Sequence, residues 1–334
     1  MLVSEVLHEY AGHHAERGSP LTLALLQGAA RDWDAGGVTR EVLSPYENDP
    51  PGSALPLRFT AALHRLVLDR QAPELALHYP TAGGQAPPAS AWPPARRLLA
   101  EHTGLVRQLV GLPCQTNEVG RCAPLLVGLL HIARQTGRQL RLLEVGASAG
   151  LNLLVDRYRY GKSYGPPDSP CRLPDPGLAP GAGLRIVERA GCDPHPLDPT
   201  SGEGRLQLSA SVWGDQVDRF ARLQGALAVA ARGRVPVETA GAADWLSRQL
   251  PDADLPDAPA TVVWHSVVRQ YVDPAEWEQV EQLSARPGVW RLSYEPDLSS
   301  QPVRFPLRVH GAGTAPGGDI LAYGGGHGPP LSVT

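Results

Sequence analysis

Lysine is all but missing from this chain: Lys162 is the only one, so arginine carries almost all of the positive charge. That bias reflects codon usage rather than arginine chemistry. Basic charge is not in excess either. A net charge of −4 argues against the clustered basic surface that nucleic-acid binding requires. Cysteines are few. Cys114, Cys122, Cys171 and Cys192 form no C-x-x-C pair and no zinc spacing, so reduced structural thiols are expected rather than a disulfide framework. No apolar run approaches the roughly 18 residues of a membrane span. The opening stretch MLVSEVLHEYAGHHAERG lacks the cationic and apolar regions of a secretory signal. HEYAGHH (8–14) lacks the H-E-x-x-H pair, because Gly12 stands where the second histidine belongs. The expectation is a cytoplasmic protein with no membrane or nucleic-acid partner and no metal. The oligomeric state is left open.

What is present describes a globular chain. With 42% hydrophobic and 19% charged residues in 334, it can bury a core in one large domain or two modest ones. Residues 1–137 read as helices joined by proline-rich joints. Pro20 opens one helix with Leu21, Leu25 and Ala29 on a single face, and Gly36-Gly37 closes it. LPLRFTAALHRLVLDR forms another, and two more are expected around 94–110 and 118–136. From residue 140 the pattern alternates. RLLEV is a strand and LNLLVDRY helical. Residues 161–183 are a proline- and glycine-rich irregular insertion. LRIVERAGCD, VPVETAG, ATVVWHSVV and VWRLSYEP are strands with helices between them, which is the pattern of a parallel sheet covered on both faces. Only 297–303 separate VWRLSYEP from RFPLRVHG, too few for a parallel crossover. The C-terminal strands should therefore close the sheet by antiparallel turns, with GGG of YGGGHGPP a tight turn and His327 at the surface. The expected fold class is α/β: a helical cap region (1–137) and a Rossmann-like, mostly parallel doubly wound sheet (138–334).

Gly146-Ala147-Ser148-Ala149-Gly150 supports two incompatible readings. As G-x-S-x-G it is the elbow of an α/β-hydrolase, with Ser148 as nucleophile and Asp297 and His327 in the right chain order behind it. That elbow normally follows a middle strand, yet nothing upstream of RLLEV reads as a strand. As Glu144-x-Gly146-x-Ser148-x-Gly150 it is an acidic, glycine-rich turn after a first strand, the kind that holds S-adenosylmethionine at the carboxyl end of a doubly wound sheet. The dinucleotide pattern G-x-G-x-x-G fails.

The blocks QTNEVGR (115–121), LLEVGASAGLNL (142–153), DPTSGEGRLQL (198–208), WGDQVDRFARL (213–223) and ATVVWHSVVRQY (260–271) together resemble bacterial domain-of-unknown-function family 2332. The resemblance covers most of the chain. It implies a core like that of a class I S-adenosylmethionine-dependent methyltransferase, with a small-molecule or peptide-like methyl acceptor of unknown identity. On that resemblance Glu144, Gly146, Ala147, Ser148 and Gly150 make the cofactor turn, and Asn152 opens the helix behind it. Asp193 binds the ribose, with Glu188 and Asp198 as rivals. Ala242 and Asp244 lie near the adenine, and His265, Ser266 and Tyr271 lie toward the transferred methyl. His265 is the one evident base at a strand end. A non-catalytic cofactor-binding protein on the same fold is the alternative. Gln115, Asn117 and Glu118 precede a long apolar helix. Asn117 is the expected N-cap, and the three are candidates for facing the cleft. Tyr158 is a candidate for an acceptor pocket beside ordinary packing of a helix end.

Overall fold

The computed structural model describes residues 3–16, 18–177, 183–250 and 258–334. Residues 178–182 of the expected insertion, and the side chains of His13 and His14 in HEYAGHH, lie outside the described residues. Two compact units emerge: 1–116 with 202–221, and 117–201 with 222–334.

The first unit is helical. In chain order its early helices are α1 (Val3–Glu16), α2 (Pro20–Asp34), α3 (Val38–Leu43), α4 (Leu55–Leu68), α5 (Pro73–Ala76), α6 (Trp92–Glu101) and α7 (Thr103–Val110). Leu21, Leu25 and Ala29 are buried along one face of α2, as their spacing predicts, and Gly36 turns the chain out with φ 70°. The single helix expected around 94–110 is instead two, broken at His102. Residues from 202–221 complete this unit. Asp215 accepts hydrogen bonds from the Leu21 amide (2.8 Å) and the Ser19 hydroxyl (2.6 Å), and so caps α2 from far along the sequence. His64 on α4 donates from Nδ1 to the Val212 carbonyl at 2.8 Å. Burial pulls its pKa down to about 4, which keeps the ring neutral.

The second unit carries α8 (Cys122–Thr136) and one large sheet; α9 (Gly202–Ala210) returns to the first, and α10 (Val217–Ala230), α11 (Ala242–Gln249) and α12 (Pro274–Ser284) follow in the chain. The sheet strands are β1 (Leu140–Val145), β2 (Ile186–Asp193), β3 (Val237–Thr239), β4 (Ala260–Ser266), β5 (Val289–Tyr294), β6 (Phe305–His310), β7 (Asp319–Gly325) and β8 (Gly328–Val333). Their spatial order is β8-β7-β6-β5-β4-β1-β2-β3. β3, β2, β1, β4 and β5 run parallel. This half has the 3-2-1-4-5 order of doubly wound sheets. β6, β7 and β8 add an antiparallel meander, as the short 297–303 link requires. Every residue of β4 is buried, which explains its unbroken apolar run.

Two further elements differ from the sequence reading. α8 begins at Cys122 rather than 118 and packs on this sheet: a Cβ on Gly128 would come within 2.6 Å of Leu292 of β5. LNLLVDRY is not an α-helix. Asn152–Arg157 forms 3-10 turns with a break at Leu154, because other groups claim the carbonyls an α-helix would use. Leu151 O accepts from the Tyr158 hydroxyl, Val155 O from the Tyr160 hydroxyl and Leu153 O from Arg189, which also forks onto Asp156. Gly128→Leu should therefore cost about 1 to 3 kcal/mol in urea unfolding of this unit. Gly104→Ala, where an added Cβ meets nothing within 4 Å, should stabilise by about 0.5 to 1 kcal/mol. Equal effects would contradict the packing of α8.

Candidate functional site

Strand order reverses between β1 and β4, and the crevice at their carboxyl ends is where open α/β sheets hold ligands. The turn Gly146–Gly150 leaves β1 there. Gly146, Ser148 and Gly150 all have left-handed backbones, with φ of 69°, 52° and 71°. For Ser148, which has a Cβ, that conformation costs about 1 to 2 kcal/mol. The surroundings meet it with acceptors. Ala147 donates its amide to Cys192 O (2.9 Å), Ser148 to Asp193 Oδ2 (3.0 Å) and Gly150 to Ala147 O (2.8 Å). Ala149 and Leu151 both donate to Asn117 Oδ1, at 3.3 and 3.0 Å. Asn117 therefore holds the glycine turn rather than capping the helix; the side-chain cap at that start is Glu118, which accepts from the Gly120 amide. The open side of Gly146 is filled by Val268 Cγ2, which a Cβ there would approach to 2.0 Å.

Two acids meet at this turn. Glu144 is buried at the end of β1 and accepts from Asn152 Nδ2 at 3.1 Å, while its Oε2 has no hydrogen-bond partner among the described residues. Burial, helped by the nearby Asp193 charge, pushes its pKa up to about 8; the Asn152 hydrogen bond, Arg121 and the Trp264 indole act the other way. Asn152 thus serves as the carboxyl's donor rather than the opener of an α-helix. Asp193 ends β2 and is also buried; its carboxylate accepts from the amides of Ser148 and His195. The rivals are elsewhere. Glu188 is 60% exposed and paired with Arg141, and Asp198 binds Thr200 and Arg234.

β4 ends in His265-Ser266. His265 is buried, with Nδ1 2.8 Å from Glu295 Oε1 and its ring edge-on to Trp277 at 4.8 Å between centroids. Ser266 is buried, and its carbonyl accepts from Arg121 Nη1 at 3.1 Å. Arg121 also donates from Nε to Gly326 O at 3.0 Å, so the 117–121 segment joins the glycine turn, the end of β4 and the β7–β8 hairpin. Glu118 Oε2 lies 3.4 Å from His327 Nδ1, so His327 sits against a buried acid at the edge of the hairpin, an ion pair when its ring is protonated, rather than being a plain surface residue. Tyr271 sits on a 3-10 turn (Arg269–Tyr271) and is 60% exposed.

Several expected site residues are not gathered here. Tyr158 is fully buried, with its hydroxyl spent on Leu151 O, so it is a core residue and not a pocket wall. Ala242 opens α11 in a buried position, but Asp244 is exposed on that helix's first turn. The amide of Ala243 there donates to Glu276 Oε1 at 3.3 Å. Gln115 belongs to the helical unit. The sequence reading missed Arg121, Trp264, Val268 and Glu295. Trp264 is the register partner of Glu144, and its buried indole N–H lies toward that carboxyl and opposes the rise in its pKa. The one signal available for Glu295 was a carboxylate immediately after a strand, in SYEP.

Among the described residues no helix is long and apolar enough to cross a membrane, and no group of three His, Cys, Asp or Glu side chains is placed to hold a metal ion. The model of a bacterial family described as an uncharacterized protein conserved in bacteria (DUF2332) matches residues 4–332. No curated protein and no solved structure matches the chain.

The Glu144 carboxyl carries a pH signature. Its pKa rises from 4.5 to about 8 on folding, so the folded chain keeps this proton where the unfolded chain has lost it. The stability this group contributes is complete below about pH 4.5 and declines as pH climbs toward 8. Glu144→Gln does not titrate, so its melting temperature should gain on wild type steadily across that window. A gap that stays constant with pH would show that Glu144 is charged in the folded protein.

Proposed function

We propose that this chain, which belongs to that uncharacterised bacterial family, binds S-adenosylmethionine and transfers its methyl group to a small-molecule or peptide-like acceptor. The observation that carries the reading is the pairing of Glu144 and Asp193 around a left-handed glycine turn at the point where strand order reverses. The residues fit such a cofactor in the chemistry of their donors and acceptors. Ser148 Oγ is a buried polar atom without a hydrogen-bond partner among the described residues, and Glu144 Oε2 has only the neighbouring Trp264 indole within reach, so a ligand with polar atoms of its own would satisfy both oxygens.

In this reading Glu144 faces the cationic methionine end. Asp193 serves the ribose hydroxyls, and the Gly241-Ala242 backbone serves the adenine. Gly146, Ala147, Ser148 and Gly150 shape the turn, while Asn117 and the 117–121 segment hold it rigid. Because the turn amides already have protein acceptors, side chains do the recognising. Val268 must withdraw from Gly146 for the turn to be reached. When bound, the cofactor supplies an electrophilic methyl group. The protein's own task is to orient the acceptor and to take a proton from it where the nucleophile is protonated, a role that suits Nε2 of His265. Ser266 and the exposed Tyr271 flank that position in sequence, on the acceptor side. Binding without turnover remains the alternative within the same site.

The hydrolase reading finds no support. Ser148 Oγ has no hydrogen-bond partner among the described residues, Asp297 is engaged with Ser299, and His327 pairs with Glu118. β1 is the first strand of its sheet in the chain.

Calorimetry with S-adenosylmethionine tests the proposal. Wild type should bind, and Glu144→Gln should weaken binding at least about tenfold, roughly 1.4 kcal/mol. Since a cation favours ionised Glu144, binding should release a proton and tighten as pH approaches 8. Absence of heat at millimolar ligand would end the proposal, and labelling of Ser148 by a fluorophosphonate would restore the hydrolase.

A further inference from the structure

Glu295, directly after β5, lies at the junction of two features of the site. Its Oε1 is 2.8 Å from His265 Nδ1 and 3.1 Å from the Val268 amide nitrogen. A carboxylate only accepts, so Nδ1 must donate, and a ring that carries a single proton carries it there. The other ring nitrogen then carries the lone pair. His265 Nε2 is buried, with no hydrogen-bond partner among the described residues. The amide that shares Glu295 belongs to the residue whose side chain fills the space beside Gly146. Just before it, Val267 has a left-handed φ of 53°. A β-branched residue adopts that conformation only when its surroundings impose it. The Glu295 bond to Val268 and the Val267 amide bond to Tyr294 O (3.1 Å) supply that constraint.

We infer that Glu295 is the positioning residue of His265: it fixes the imidazole in the Nδ1–H tautomer, leaves Nε2 as the proton acceptor of the site, and fastens the Val267–Val268 bend over the glycine turn. The role of Nε2 in proton transfer rests on the methyl-transfer reading above. In that proton transfer the bond between the acceptor heteroatom and its proton breaks, and the electron pair stays on the heteroatom. The proton goes to Nε2, and the Glu295 carboxylate offsets the resulting imidazolium charge. The other groups facing the ring are Trp277 from α12, edge-on, and His310 on β6, which lies within electrostatic range of it.

The test is nitrogen-15 NMR of the histidine side chains in the full, ligand-free chain, with His265→Gln identifying the resonances. Wild type should show the Nδ1–H tautomer, with a lone-pair shift at Nε2. Glu295→Gln, whose amide oxygen still accepts, should keep that tautomer. Glu295→Leu should lower the ratio of Nδ1–H to Nε2–H at least about tenfold. An Nε2–H tautomer in wild type, or an unchanged ratio in Glu295→Leu, overturns the inference. So does a ring doubly protonated from about pH 7 to about pH 9, which would make it a structural cation against Trp277. Should Glu295→Leu fail to fold, the wild-type tautomer and its persistence in Glu295→Gln still decide. No cofactor is present in this measurement, so failure of S-adenosylmethionine to bind and failure of the Glu295 assignment are read separately.

Discussion

Everything at the carboxyl edge of this sheet depends on supplying acceptors to five successive amides, those of residues 147 to 151. A left-handed bend turns its N–H groups away from regular pairing, and buried amides left unpaired are costly. Here two carbonyls, the Asp193 carboxylate and the Asn117 side-chain oxygen meet all five. Asn117 takes two of them on one atom. Around that solution the rest is arranged: the 117–121 segment must cross the strand ends to deliver Asn117, and Asp193 must turn inward to reach Ser148. Arg121, four residues on, ties the same segment to Ser266 and Gly326.

Much of the fold was legible because its signals are local. β1 and β4 are short apolar runs punctuated by glycine or polar turns, and the brevity of 297–303 decided the antiparallel closure. Glu144, Gly146, Ser148 and Asp193 were legible for the same reason, as polar or turn-forming residues where a strand stops. What escaped was set by distant partners. Asn117 reads as a helix cap until residues 32 and 34 positions later claim its side chain. The His265–Glu295 pair spans 30 positions and the Arg121–Ser266 contact 145. LNLLVDRY has the periodicity of a helix, yet its carbonyls go to tyrosine hydroxyls and to Arg189, which no pattern within the segment announces.

The same geometry bears on ligand class. Nucleotide phosphates favour the amino end of a helix, where unpaired amides and the helix dipole present positive charge. The turn after β1 has neither, since its amides are spent and 3-10 turns follow it. Two acids stand beside it instead. The Asp193 carboxylate disfavours a polyanion at this turn, and the buried Glu144 carboxyl adds a second acid that ionises as pH approaches 8.

The helical unit is discontinuous in sequence, and that has a consequence for how the chain is made. Residues 1–116 leave the ribosome well before 202–221, which carry Asp215 for the start of α2 and Val212 for His64. Until then α2 begins with an uncapped amide and a buried imidazole awaits its carbonyl. This half therefore completes its hydrogen bonding only after the first strands of the sheet have been translated.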